Sequence, residues 1–256
     1  MLTRSQLAEI SRREGVPLHT VERDYVQHLL LRSLEWDRVV FKGGTNLRIV
    51  LGSPRYSEDL DFNVDGDDTE AEELFSLAVA RLEAYGLRAR LDRRRSMADS
   101  FLGRVRYEGP LFDGRAQSRG TIRLDGSLRG EEVAVKEAFV PRTPYPDVYQ
   151  LVLRVLEDDH LFAEKVRALL VRKKARDLYD LHFLLQRSID CPPFLVDRKM
   201  AIYGRSFTYE GLEESVRLVR GTWERDLGPL LGQVPPYRMV AEEVLSAFRR
   251  RWSRGH

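Results

Sequence analysis

The sequence predicts an α+β fold, with helices first, a strand-rich middle and a long helical region at the end. Three observations predict it. Apolar residues fall at helical spacing within residues 1–36. Short alternating runs follow, as in Asp59-Leu60-Asp61-Phe62, Leu87-Arg88-Ala89-Arg90-Leu91 and Thr121-Ile122-Arg123-Leu124-Asp125, the mark of half-buried strands. Pro141, Pro144 and Pro146 then interrupt the chain, and from Asp158 onward the pattern is helical. The expected organisation is N-terminal helices over 1–36 bracing the core, a core over 37–150 and a helical domain over 151–256.

Composition agrees with a soluble globular chain. Its 256 residues are 43% apolar and 32% charged, enough for one large domain or two modest ones sharing a core. The net charge of +2 means that a nucleic-acid surface, if present, comes from local clustering rather than bulk charge. A single cysteine, Cys191, excludes an internal disulfide and a cysteine-based zinc site. No charged-then-apolar leader opens the chain, and no apolar run approaches a membrane span, so the expected location is the cytoplasm, without membrane contact.

In the opening segment Thr3 is a candidate cap for a first helix, and Pro17 starts a second after Gly15. Val21, Tyr25, His28, Leu29 and Leu31 give that second helix an apolar face. His28 lies on or beside that face and reads as a packed or solvated residue, not a catalytic one.

The stretch from Phe41 to Val64 carries the chemistry. Val39, Val40 and Phe41 run into Gly43 and Gly44; a short helix is expected over Asn46–Leu51, stopped by Gly52 and Pro54. On the strand that follows, Asp59 and Asp61 project to one side while Leu60 and Phe62 enter the core. Two carboxylates so close repel each other unless a cation lies between them. Hard oxygen ligands suit Mg²⁺, with Mn²⁺ as its substitute, completed by phosphate oxygens and water. The glycine turn exposes backbone N–H groups to which an anion such as a triphosphate is welcome. A phosphate cradle and a metal clamp separated by one helix describe a nucleotidyl-transfer site.

The order strand, Gly-Gly-Thr, helix, Asp-x-Asp resembles the signature of the polymerase-β-like nucleotidyltransferases. The wider wording, Lys42-Gly43-Gly44-Thr45, Leu47-Arg48 and Arg55-Tyr56-Ser57-Glu58-Asp59-Leu60-Asp61-Phe62, resembles the AbiEii/MenT family of nucleotidyltransferase-like toxins. The resemblance implies a mixed sheet with flanking helices, followed by a C-terminal helical domain that closes the nucleotide cleft. It also implies that Lys42, Gly43, Gly44, Thr45 and Ser57 hold the nucleotide phosphates. The charged segment Glu22-Arg23-Asp24-Tyr25 is similar to the family's N-terminal helical region.

Beyond the signature, Asp67 or Asp68 is placed to cap a helix over Glu70–Tyr85 that Gly86 ends. A basic stretch follows: Arg88, Arg90, Arg93, Arg94, Arg95, Arg104, Arg106, then Arg115 and Arg119. It reads either as a solvated sheet face or as a phosphate-tracking surface. In Thr121–Asp125 the resemblance makes Asp125 the third acid. It would help to ligate the metal and bring the incoming hydroxyl towards deprotonation. Glu131–Val140 is a further strand region.

In the helical region, Phe162-Ala163-Glu164-Lys165 and Arg176-Asp177-Leu178-Tyr179-Asp180-Leu181 are similar to family elements that face the nucleotide. Carried over by position, Lys165 is a phosphate contact, and Asp177 or Asp180 supports the ribose, the base or Lys165 itself. Without the resemblance, Lys165 reads as a helix-surface ion pair with Glu164 or Asp177. His182 reads as a core or rim residue. Tyr203, Phe207, Tyr209, Trp223, Phe248 and Trp252 are expected to pack a helical bundle rather than stack on bases. The tail Arg249-Arg250-Arg251-Trp252-Ser253-Arg254 is basic.

The implied reaction moves a nucleoside monophosphate from an NTP to an acceptor, with the 3′ end of tRNA as the first expectation. The alternatives are a protein or small-molecule hydroxyl, or a nucleotide-binding module without catalysis. The resemblance also implies a cognate antitoxin with a winged-helix domain.

Overall fold

The computed structural model describes residues 1–93, 99–131 and 133–252. Arg94 and Arg95 of the basic stretch, and Ser253 and Arg254 of the tail, lie outside the described residues. The chain divides into two compact units, Met1–Leu156 and Glu157–His256.

In the first unit, Thr3 caps helix α1 (Arg4–Glu14) through a capping box. Its hydroxyl accepts from the Gln6 N–H while the Gln6 side chain accepts from the Thr3 N–H. Helix α2 (Leu18–Ser33) follows Pro17 and is buried along most of its length. The chain then alternates strands and helices: β1 (Val39–Lys42), α3 (Gly43–Ile49), β2 (Asp59–Val64), α4 (Asp68–Ala80), β3 (Arg88–Arg93), β4 (Ser100–Glu108), β5 (Gly120–Ser127), β6 (Val135–Val140) and β7 (Leu151–Leu156). Asp67 caps α4, again with a reciprocal bond from its third residue, Glu70.

The strands form one mixed sheet in the order β3-β4-β5-β2-β1-β7-β6. β2 runs parallel to β5 and β1 parallel to β7, while the remaining neighbours are antiparallel. The expected helix after the glycines starts earlier than its apolar pattern suggested, at Gly43 instead of Asn46. A second correction concerns residues 151–156, assigned above to the helical domain. They alternate Leu151, Leu153 and Val155 inward and pair with both β1 and β6, so the sheet extends to Leu156. Prolines at 141, 144 and 146 mark a loop inside this unit, not its end.

The sheet has two unlike faces. On one, Phe41, Phe62 and Phe101 meet Phe75 of α4 and Trp36 in a ladder of rings spaced 5.0–6.4 Å. Those contacts fix the register of β2, and a one-residue slip would turn the opposite set of side chains inward. The other face carries Asp59, Asp61 and Asn63 on β2, and Thr121, Arg123 and Asp125 on β5.

A buried polar hub ties α2 to the rest of the unit. The Tyr145 hydroxyl donates to Asp24 Oδ2 at 2.6 Å, and Arg48 Nε approaches Asp24 Oδ1 at 3.6 Å while its guanidinium lies over the Tyr56 ring. The Tyr25 hydroxyl donates to Asp147 at 2.5 Å, and the Leu111 N–H donates to Glu22 at 2.7 Å. His28 is packed, its Nδ1 2.7 Å from the Asp24 carbonyl. Burial holds its imidazole below the ordinary histidine range, against the pull of Asp24.

The second unit is helical: α5 (Asp158–Arg172), α6 (Ala175–Gln186), α7 (Pro193–Ala201), α8 (Tyr209–Val219), α9 (Trp223–Leu227) and α10 (Tyr237–Trp252). Helix α5 packs against α6, α7 and α8. Phe248 stacks between Phe162 and Phe207, and Trp223 is buried with its indole N–H donating to the Pro235 carbonyl. These aromatics pack the unit's interior. Cys191 is buried, and His182 sits at the rim, 2.9 Å from Glu243. Among the described residues no helix is long and apolar enough to cross a membrane.

Candidate active site

The strand pairing assembles the three acids. Because β2 and β5 are parallel with Asp61 opposite Asp125 and Asp59 opposite Arg123, all four side chains stand on the open face of the sheet. Asp125 lies two residues inside the end of β5, which runs on to Ser127. Arg123 donates from Nη2 to Asp59 Oδ2. Burial works against the guanidinium's charge. Asp59, Asp61 and Asp125 all work for it, Asp59 most strongly, and the net effect raises Arg123 above its ordinary range.

Among the described residues no three acidic, histidine or cysteine side chains stand gathered as a ready metal cluster. The donor set nevertheless fits a hard divalent ion. Mg²⁺ needs only one or two carboxylates and takes its remaining ligands from phosphate and water. Asp59 and Asp61, on one rigid strand, supply that pair, with Asp125 next to Asp61.

The glycine turn is confined by Asp61, Arg55 and Ser57. Gly43 has φ +81°, and a Cβ there would overlap the Asp61 carboxylate. A Cβ on Gly44 would overlap the Arg55 guanidinium and come within 3.0 Å of Ser57 Oγ, so the serine hydroxyl lies against the turn. Thr45 is fully buried, and its hydroxyl donates to the Asp59 carbonyl, which locks α3 to β2. The Lys42 ammonium donates to Asn63 Oδ1 at 2.5 Å, further along the same face. Gly43→Ala should therefore cost about 2–3 kcal/mol, left-handed strain plus a displaced carboxylate. Thermal denaturation checks this; a melting temperature unchanged from wild type would show that the turn tolerates a side chain.

In the second unit Lys165, Asp177 and Asp180 come together. Lys165 is 5% exposed, so it does not form the helix-surface pair that the bland reading of the sequence expects. Its ammonium lies 2.8 Å from Asp180 Oδ2 and 3.9 Å from Asp177 Oδ1. Arg172 donates to the same Asp177 oxygen at 3.0 Å, and Asp177 Oδ2 is buried without a hydrogen-bond partner among the described residues. Glu164 turns to Arg167 and Lys199.

The basic strands make a continuous patch on the open face. Register puts Arg88, Arg90, Arg104 and Arg106 in neighbouring rows of β3 and β4, and Arg104 directly beside Arg123. Arg88, Arg90, Arg106 and Arg119 line a shallow hollow of about 290 Å³ with Glu108. Their partners Glu108 and Asp92 form surface pairs, which hold side chains only weakly against a competing anion. Arg123 and Arg55 carry no role in the sequence reading. The signal for Arg123 was its place two residues before Asp125 on the same strand face. For Arg55 it was an arginine between the glycine turn and the acids.

No curated protein matches the chain. Solved structures similar to it include MenT4, a nucleotidyltransferase toxin from Mycobacterium tuberculosis H37Rv, with a TM-score of 0.71 and 23% identity over 97% of this chain and 89% of that one. A Helicobacter pylori protein assigned as a nucleotidyltransferase gives 0.63 and 18% over 93% and 97%. JHP933 from Helicobacter pylori gives 0.55 and 18% over 94% and 96%. At such identities the likeness is one of fold, a mixed sheet with flanking helices. The sequence profile of the AbiEii nucleotidyl transferase toxins of type IV toxin–antitoxin systems matches residues 24–252, nearly the whole chain. The chain belongs to that family and is a nucleotidyltransferase.

Proposed function

We propose that this nucleotidyltransferase moves a nucleoside monophosphate from an NTP to the 3′ end of tRNA in the cytoplasm, releasing pyrophosphate. Its activity is restrained by a cognate antitoxin with a winged-helix domain. The observation that carries the reading is the placing of Asp59, Asp61 and Asp125 on one face of paired strands, with Asp61 against Gly43 of the turn.

Asp59 and Asp61 hold the divalent ion. Mg²⁺, or Mn²⁺ in its place, would there supply charge neutralisation at the α-phosphate and so favour in-line attack. Asp125 accepts the proton of the acceptor hydroxyl. The N–H groups of Gly43 and Gly44, with the Ser57 hydroxyl, take oxygens of the β- and γ-phosphates, and Lys42 adds positive charge beside them. Thr45, whose hydroxyl is spent on the Asp59 carbonyl, aligns β2 with the turn instead of touching phosphate. Within the second unit, Lys165 keeps the phosphate-contact role that the family resemblance implies, with Asp180 holding its ammonium and Asp177 in support. Most of the barrier is lowered by positioning and electrostatics, because phosphoryl transfer asks little covalent chemistry of the protein.

The test is incubation of the purified protein with each labelled NTP, Mg²⁺ and total tRNA. Label entering the tRNA 3′ end supports the reading. Label entering protein, or no label at all, replaces it with a different acceptor or a binding module.

The arginine patch would follow the acceptor's phosphates. Arg88→Gln, Arg90→Gln and Arg106→Gln together should leave melting unchanged, since all three side chains are exposed. They should flatten the log–log salt dependence of tRNA binding by about 2, as phosphate contacts and their counterion release are lost. A slope equal to wild type would move the RNA path elsewhere.

A further inference from the structure

Arg123 stands where the acidic cluster needs a cation. It reaches Asp59 directly. Asp125 lies two residues along the same face of β5, and Asp61 is the register partner of Asp125 on β2. A guanidinium and a metal ion cannot both occupy the facing oxygens of Asp59, so the two compete. The side chain is also 51% exposed, so its outer edge is unconfined. Its planar fork matches phosphate oxygens as well as it matches a carboxylate.

We propose that Arg123 is a positioning residue with two stations. It first holds Asp59, beside Asp61 and Asp125, as that carboxylate's resident cation. It then cedes Asp59 to the divalent ion and turns its fork onto a phosphate oxygen of the nucleotide. The proposal rests on reading the three acids as the metal site. The guanidinium holds the Asp59 carboxylate in place beside the neighbouring acids. The same guanidinium weakens binding of the ion alone. A metal–nucleotide pair resolves the competition, because it brings a cation for the acids and an anion for Arg123 at once. Metal and nucleotide therefore bind with positive coupling, and Arg123 is the link.

The experiment is a Mn²⁺ titration of the full chain, following loss of the free-ion electron paramagnetic resonance signal. It is run with and without a non-hydrolysable NTP analogue, on wild type, Arg123→Gln, Arg123→Lys and Asp59→Asn. Without nucleotide, Arg123→Gln should bind Mn²⁺ about fivefold tighter than wild type, since one nearby like charge is gone. Arg123→Lys keeps the charge and should stay near wild type, and Asp59→Asn should bind poorly. At saturating Mn²⁺, Arg123→Gln should bind the analogue about tenfold more weakly, having lost a charge-assisted hydrogen bond. These effects have opposite signs, whereas a merely structural arginine would weaken both. Unchanged or weaker Mn²⁺ binding in Arg123→Gln, with Asp59→Asn still defective, overturns the proposal and leaves the metal assignment standing. Mn²⁺ binding indifferent to Asp59→Asn removes both.

Discussion

Asp59→Asn is expected to abolish nucleotidyl transfer, by about a thousandfold or more, while leaving the protein folded. The change is nearly isosteric and removes one charge. Its backbone carbonyl, which receives the Thr45 hydroxyl, is untouched, so the latch between α3 and β2 survives. The lost bond to Arg123 is solvent-screened and worth little to stability. On the proposed assignment, what disappears is half of the carboxylate pair that would hold the ion against the α-phosphate, a contribution of several kcal/mol to the transition state. Incorporation of labelled nucleotide, measured beside a melting curve, separates the two effects. Transfer at the wild-type rate with an unchanged melting temperature would remove Asp59 from the metal site.

The elements that position this site were legible because they are local. Gly43, Gly44 and the alternation around Asp59 and Asp61 each signal structure within a few residues, and the ring ladder behind β2 fixes the same face outward. Asp125 needed the family resemblance, since pairing of β5 with β2 joins residues 64 apart in the chain and no periodicity reports it. The Asp24 hub was illegible for the same reason. Asp24 and Tyr145 are 121 residues apart, and a charged Glu-Arg-Asp-Tyr segment on a helix reads as surface until its partners are known. Strand β7 was hidden by the prolines before it, which mark a loop as readily as a boundary. Arg123 was visible but unassigned, because an arginine on an alternating strand is ordinarily a solvated one.

Lys165 presents the sharpest conflict between structural and chemical roles, and its largest expected effect is on stability. Asp180→Ala should cost about 3–5 kcal/mol, because it leaves a buried ammonium with only the more distant Asp177. Asp177 is a poor substitute, since Arg172 already claims the oxygen that faces Lys165. Replacing both partners, Lys165→Met with Asp180→Leu, should recover most of that loss, as apolar side chains of similar volume remove the desolvation cost together with the attraction. The double variant then isolates chemistry from folding. If Lys165 takes a phosphate oxygen, transfer stays depressed by about a hundredfold or more although the melting temperature returns. Recovery of activity along with stability would make the pair a purely structural bolt between α5 and α6. A double-mutant cycle over wild type, Lys165→Met, Asp180→Leu and the double variant, followed in both melting and turnover, reads the two outcomes from four proteins.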